Sequence, residues 1–549
     1  MSELITILTA VFVASSIMIF LLEKLSHPRI PAYILAGIFV GTFINQSEIL
    51  GLSQLGIAFL VFVFGIKSDL GRIRAVGEES VSTALIQIFV VGTMLFLVAK
   101  GIGFSLSDSL YFSLAGALSS SLVGLELVKS EVRVDILHGR LAEAIQLFQD
   151  LVAVIAITII LSGFTVESIG LNLSYLCVTI LGALIIRQIL MDKVARLAEG
   201  SRELITLFSL SVLILFISTS QYINSSLVVG SFAAGLAVSK FPHNMEILDT
   251  MGSMKDFFSS IFFVTLGALI AVPTFETLIL TAVLTSTTLL LKPVMTGVAL
   301  LINGYDRRTA YLTGLSLDQT SEFALIIAIQ AHIAGTIDPA IFQSIILSAT
   351  LTMIVSSYTS RYEEELYNYV SNLQLVEVNS RKINEKTSLP EKLEDHVILL
   401  GFDTQGREIA EALRQEDQSF VLIENDPEKI EEFSKKHDNY IFGDVMDEET
   451  WKKASSRSAK MVISTIPFRR ISKKILDLET DADKILRAQS TLEARELLED
   501  GALYVNVPDI LSSEELVEHV NGVIEDRHYR EELRRRNLLE IRRYLQEHE

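Results

Sequence analysis

The chain has 549 residues, half of them hydrophobic and 20% charged, with a formal net charge of −20. The two populations are segregated: residues 1–361 carry 19 Lys/Arg against 24 Asp/Glu (net −5), and residues 362–549 carry the remaining 27 against 42 (net −15). The acidic tail excludes nucleic acid as its partner, since phosphate backbones attract the opposite sign, and the single cysteine, Cys177, excludes an internal disulfide and a cysteine metal cluster.

Met1-Ser2-Glu3 has neither a basic region nor a cleavage site, so the first apolar run is expected to be a retained helix. Thirteen spanning segments are expected, near 4–22, 30–46, 51–66, 81–100, 108–127, 141–162, 170–190, 203–220, 225–240, 257–272, 276–302, 309–332 and 339–358. With the C-terminus inside, this count places seventeen Lys/Arg in loops on one side, Lys100 alone on the other, and Lys292 within a span. That segregation follows the positive-inside rule and puts the N-terminus outside.

The fifth segment is apolar until Ser119-Ser120-Ser121 and Gly124. In the sixth, Asp150 follows Gln149, ten residues after the charged boundary at Arg140. At about 1.5 Å per residue the carboxylate sits roughly 15 Å deep in a hydrocarbon core about 30 Å thick, near the midplane. A charge there is expensive and marks a functional site by default. Lys292, just before Pro293, is a second intramembrane charge; Glu322, Asp318 and Asp150 are all candidate partners. The twelfth segment is interrupted by Leu317-Asp318-Gln319-Thr320-Ser321-Glu322, and the spacing of Asp318 and Glu322 would place both on one helix face.

The block also repeats itself about 200 residues apart, with Ala36-Gly37 echoed by Ala234-Gly235 and the run 60–65 by the run 262–267. Each pair is seven helices apart, an odd number, so the second copy is inverted across the membrane. Polar interruptions at matching positions of inverted halves point to broken helices and a midplane substrate site. Broken backbone and hydroxyls supply oxygens suited to a hard cation.

After a polar linker (362–395), Val397-Ile398-Leu399-Leu400 reads as a buried strand. It leads into Gly401-Phe402-Asp403-Thr404-Gln405-Gly406-Arg407, a helical pattern, and a second strand 420–423 ending at Glu424. Strand, glycine turn, helix and an acid about 20 residues on is the dinucleotide-binding arrangement. Gly443-Asp444, 462–465 and 504–507 continue the strand series, giving a domain over 396–515, and 516–549 forms a helical extension. Asp403 stands where G-x-G-x-x-G has its middle glycine, at the closest approach of a pyrophosphate. A carboxylate there repels phosphate, so either the ligand has a single phosphate, such as AMP, or nucleotide binding is weak or lost.

Ser119-Ser120, Leu147-Phe148-Gln149-Asp150-Leu151 and Ser321-Glu322-Phe323 resemble the monovalent cation/proton antiporters, specifically their Kef-type potassium efflux branch. That branch commonly has threonine where this chain has Ser121 and glycine where it has Ser321, and sodium-selective relatives usually carry Asn-Asp or Asp-Asp in place of Gln149-Asp150. The tail is similar to a regulator-of-potassium-conductance (RCK) N-terminal domain. The resemblance implies a polytopic α-helical transporter (1–361) joined to a Rossmann-like domain, not an enzyme. It would be a homodimer in the prokaryotic inner membrane with its tail in the cytoplasm, and an ancillary subunit stays open. The implied substrates are K+ and H+. The implied ion and proton site draws on Asp150, Gln149, Ser119, Ser120, Ser121, Gln319, Glu322 and Lys292, with K+ at Asp150, Gln149 and Ser120. AMP or NAD(H) would regulate through Gly401, Asp403, Gly406, Arg407, Glu424 and Asp444. The alternatives are sodium/proton exchange on the same fold, an RCK-gated cation channel, or a membrane-anchored dehydrogenase. The channel lacks a carbonyl-lined filter motif, and the dehydrogenase lacks an acid/base in the tail.

Overall fold

The computed structural model describes residues 2–23, 29–44, 46–68, 77–120, 137–160, 166–198, 201–223, 225–240, 243–371, 387–390, 393–525 and 529–548. They form two compact units, 1–380 and 381–549, and the division falls inside the polar stretch read as a linker.

The first unit is a helical bundle. Among the described residues eight helices are long and apolar enough to cross a membrane, and three shorter apolar helices, Arg29–Val40, Leu227–Ala237 and Glu322–Ile333, accompany them. Each of the thirteen expected segments overlaps a helix, but among the described residues eight helices, not thirteen, have spanning length and apolarity. Several segments are interrupted or begin with charged turns, which shortens their apolar length. Helix starts follow capping chemistry: the side chains of Ser105, Ser201, Ser226, Thr274, Asp306, Ser321 and Asp338 each accept a backbone N–H of the first turn.

One expected helix is broken, and another ends ahead of its expected boundary. Leu106–Ala117 ends in extended backbone at Leu118 (φ −86°, ψ 150°); Ser121 and Gly124 lie outside the described residues. The twelfth segment divides into Arg307–Leu315 and Glu322–Ile333. Asp318 therefore lies ahead of the second helix, and the shared face expected with Glu322 does not exist. The run Asp318-Gln319-Thr320-Ser321 offers side chains that compete for backbone bonds, and Ser321 caps the new helix instead of continuing the old one. A third irregularity precedes Lys292. Thr287–Leu291 is a π-turn in which the Lys292 N–H reaches Thr287 O. It absorbs the helical bond that Pro293, with no N–H, cannot make.

The glycines of the repeat pack in reciprocal pairs. A Cβ on Gly37 would lie 2.1 Å from Val264 O and 2.8 Å from the Gly267 Cα, and one on Gly235 would lie 2.2 Å from Phe62 O and 2.7 Å from the Gly65 Cα. The Gly37 helix of one half thus meets the Gly267 helix of the other, and Gly65 meets Gly235 in return. Exchanging the two halves maps one contact onto the other.

The second unit is a six-stranded parallel sheet in the order β3-β2-β1-β4-β5-β6, with β1 His396–Leu400, β2 Phe420–Glu424, β3 Tyr440–Phe442, β4 Ala459–Ser464, β5 Asp483–Arg487 and β6 Tyr504–Asn506. Strands β1 and β2 are buried throughout, which explains their unbroken apolar runs. The order reverses between β1 and β4, the crevice where doubly wound sheets bind ligands.

Candidate functional site

In the helical unit the two chain breaks meet. Ser119 Oγ donates to Leu317 O (3.1 Å), and Gln319 Nε2 donates to Ser120 O (3.2 Å), so each break bonds the other. Lys292 is fully buried and donates to one carbonyl from each, Leu118 O at 3.0 Å and Gln319 O at 2.6 Å. Its partners are therefore carbonyls: among the described residues no carboxylate forms an ion pair with it. The ammonium is bonded here because the ends of two helices leave carbonyls without a helical donor, and carbonyl dipoles suit a cation; Asp318 lies within its electrostatic reach.

Gln149 and Asp150 sit on the helix Leu137–Ile160, at 0% and 1% exposure. Gln149 Oε1 accepts the Ser119 N–H at 2.9 Å, and one turn earlier Gln146 Nε2 donates to Ser120 O at 2.9 Å. The side chain of Gln149 thus ties the carboxylate-bearing helix to the first of these chain segments. Glu322, also buried, opens the helix Glu322–Ile333, where the helix dipole favours an anion. Asp318 accepts the Thr359 hydroxyl at 2.7 Å. Lys67, at the end of the helix Gln46–Lys67, is within electrostatic reach of both Asp150 and Glu322.

Of the residues named from sequence, Ser119, Ser120, Gln149, Lys292 and Gln319 share one hydrogen-bonded cluster, with Asp150 next to Gln149; Ser121 lies outside the described residues. Sequence reading missed Gln146, which could have been found by its i, i+3 spacing to Gln149.

In the α/β unit the glycine turn is shaped by close approach. Gly401 has φ +89°, and a Cβ on Gly406 would lie 2.2 Å from Gly401 O. Asp403 caps the helix Thr404–Gln415: its Oδ1 accepts the Gly406 N–H at 2.9 Å and its Oδ2 pairs with Arg487 Nη1 at 3.0 Å. Arg487, at the end of β5, also donates to Thr465 O (3.1 Å). The Gly406 N–H is therefore held by the chain's own carboxylate. Glu424 accepts three backbone N–H groups, from Phe402 (2.8 Å), Asn425 (2.8 Å) and Asp426 (3.0 Å), which pins the turn to the end of β2. Arg407 pairs with Glu432 at 2.8 Å and covers the Phe402 ring. Asp444 is buried and accepts the Met446 N–H at 2.8 Å. The described residues contain no cluster of His, Cys, Asp and Glu able to hold a metal ion.

Residues 8–361 match the family model described as "Sodium/hydrogen exchanger, transmembrane", and residues 397–508 match the TrkA-N domain. The chain is 25% identical to the putative cation/proton antiporter YbaL of Escherichia coli (strain K12), over 85% of this chain and 87% of that protein. It is 23% identical to the putative K(+) efflux antiporter KefB of Alkalimonas amylolytica, over 92% of this chain and 79% of that protein. A solved structure of the sodium proton antiporter MjNhaP1 from Methanocaldococcus jannaschii is 19% identical over 66% of this chain and 98% of that chain, with a TM-score of 0.47.

Proposed function

The chain belongs to the sodium/hydrogen exchanger family, and from that premise we propose that it exchanges potassium for protons by alternating access at Asp150, under the control of its TrkA-N unit. The observation that carries the reading is a fully buried carboxylate next to a glutamine that is bonded to the first of two joined helix breaks. Such a carboxylate is pushed toward its neutral form by desolvation and toward its charged form by a nearby cation. Proton and cation therefore displace each other from one site.

The potassium ion is assigned to the Asp150 carboxylate, Gln149 and Ser120. Gln149 adds oxygen without charge, which favours one proton per cation. Rocking of one helix set against the other would expose the site to each side in turn. The protein is membrane-embedded; a cytoplasmic TrkA-N unit, an outside N-terminus and a homodimer belong to the same reading. Sodium/proton exchange on this fold is the alternative, and the comparison of the two cations decides it.

For the second unit, a regulatory nucleotide at the β1/β4 crevice is supported by the strand order and the glycine turn. Glu424, which also faces Lys429 at 3.8 Å, would take the ribose hydroxyls, and Asp444 would border the base. An AMP-type ligand is favoured over NAD(H), because Asp403 places negative charge where a second phosphate would come closest. A ligand of either kind gates transport only through differential affinity for two transporter states.

The experiment is proton movement in liposomes driven by potassium gradients, with Asp150→Asn as the test variant. The variant is expected to reach the membrane folded and to show no cation-dependent proton movement. Exchange that persists in Asp150→Asn would refute the assignment.

A further inference from the structure

Gln87 lies in the helix Gly77–Ile102, in the run Ala84-Leu85-Ile86-Gln87-Ile88-Phe89-Val90, and is fully buried. Its Nε2 donates to Ala117 O at 3.1 Å and to Ser119 Oγ at 3.3 Å, and its Oε1 accepts the Thr296 hydroxyl at 2.7 Å. A carbonyl can only accept, so Ala117 O fixes which end of the amide faces the break. Ala117 is the last residue of its helix, where carbonyls look outward for donors. Thr296 is one turn beyond Lys292 on the same helix, and its hydroxyl also lies 3.0 Å from Lys292 O.

One amide therefore joins three elements: its own helix, the first break, and the helix that carries Lys292. Ser119, its bonded neighbour, passes the constraint on. The Ser119 N–H holds Gln149 Oε1 and the Ser119 hydroxyl holds Leu317 O. Any change at Gln87 thus reaches the side chain beside Asp150 through two hydrogen bonds.

We propose that Gln87 is a positioning residue for exchange, setting the geometry of the 118–120 break and hence how tightly the cation is held, without contacting the cation itself. This rests on the reading of Asp150, Gln149 and the first break as the exchange site. A buried glutamine that only glues helices together would make a different prediction. Its loss would reduce the amount of folded protein and the maximal rate, and leave the apparent affinity for potassium alone.

The test measures the apparent KM for potassium and the maximal rate in liposomes for the full chain. Gln87→Leu removes two donated bonds and one accepted bond at similar volume. Its KM is expected to rise about tenfold, with the maximal rate per folded molecule within about twofold of the parent. Gln87→Glu keeps the acceptor for Thr296 but donates to Ala117 O only when protonated. It should approach the parental KM under acid conditions, relative to the parent measured in the same series. A Gln87→Leu KM unchanged within error, or a Gln87→Glu variant as impaired as Gln87→Leu under acid conditions, overturns the proposal. If Gln87→Leu does not accumulate, Thr296→Val carries the test, because it removes the hydroxyl at constant shape. A severalfold rise in KM supports the role, and an unchanged KM overturns it. Asp150→Asn run alongside separates the two readings: an inactive Asp150→Asn with an unaltered KM in the Gln87 variants defeats this inference alone, whereas an active Asp150→Asn defeats the site.

Discussion

The ammonium of Lys292 donates to the backbone carbonyl of Gln319 at 2.6 Å, and the same ammonium holds Leu118 O at 3.0 Å. One side chain thus closes the two interrupted helices onto each other. It does so through backbone carbonyls that belong to two different helix ends.

Exchange is expected to be electroneutral, one potassium for one proton, with potassium preferred over sodium. The single acid of the Gln149-Asp150 pair favours this stoichiometry. Measured in liposomes, the rate should not respond to an imposed membrane potential. A potential-dependent rate contradicts the stoichiometry, and equal apparent affinities for the two cations contradict the preference.

The reciprocal glycine contacts predict a specific intolerance. Gly37→Ala and Gly235→Ala each push a Cβ to within 2.2 Å of a backbone carbonyl of the opposite repeat, and backbone cannot step aside as a flexible side chain can. Each substitution is expected to destabilise the helical unit by about 1–3 kcal/mol. Gly51→Ala, with nothing within 4 Å of its added carbon, serves as the control. Thermal unfolding in detergent reads the difference, and equal midpoints for Gly37→Ala and Gly51→Ala would contradict the packing.

Asp403 should govern nucleotide choice. Its carboxylate occupies the Gly406 N–H at the start of the helix and pairs with Arg487. Calorimetry is expected to show AMP binding more tightly than NAD or NADH. Asp403→Gly should narrow that gap by strengthening dinucleotide binding about tenfold, the effect of removing one charge from the closest approach. Tightest binding by NAD to the parental chain would show that Asp403 does not set the preference.

The α/β unit should lose stability in acid through His396. The side chain is buried, with Nε2 2.8 Å from Ala454 O, and burial holds its imidazole below the usual 6.5. His437 is shifted in the same direction, again chiefly by burial. A depressed folded-state value means the unfolded chain takes up the proton first. The stabilisation is complete above about pH 6.5 and declines as pH falls, by at most about 1.4 kcal/mol per unit for each group. Melting of the 381–549 unit across that range should follow this slope, and His396→Gln should flatten it. A midpoint independent of pH in the parental unit would count against the assignment.

Much of this architecture is legible in the sequence. Apolar runs of spanning length, the segregation of Lys and Arg between loops, and the strand–glycine–helix pattern are local properties, and local patterns survive in one dimension. They sufficed for a helical membrane unit, for a helix that stops at the serines and another that is broken near Gln319, and for the doubly wound tail. Asp150 was legible for the same reason, since a carboxylate deep in an apolar helix needs no partner to be conspicuous. What only the tertiary structure decided is who bonds whom. Lys292 could be paired on paper with any of three acids, but it binds two carbonyls exposed by chain breaks 174 and 27 residues away. Gln87 meets Ser119 across 32 residues and Thr296 across 209. Asp403 is answered by Arg487, 84 residues on. Such pairings are set by how helices and strands pack, and by the need of each buried polar group for a partner, which no spacing along the chain records.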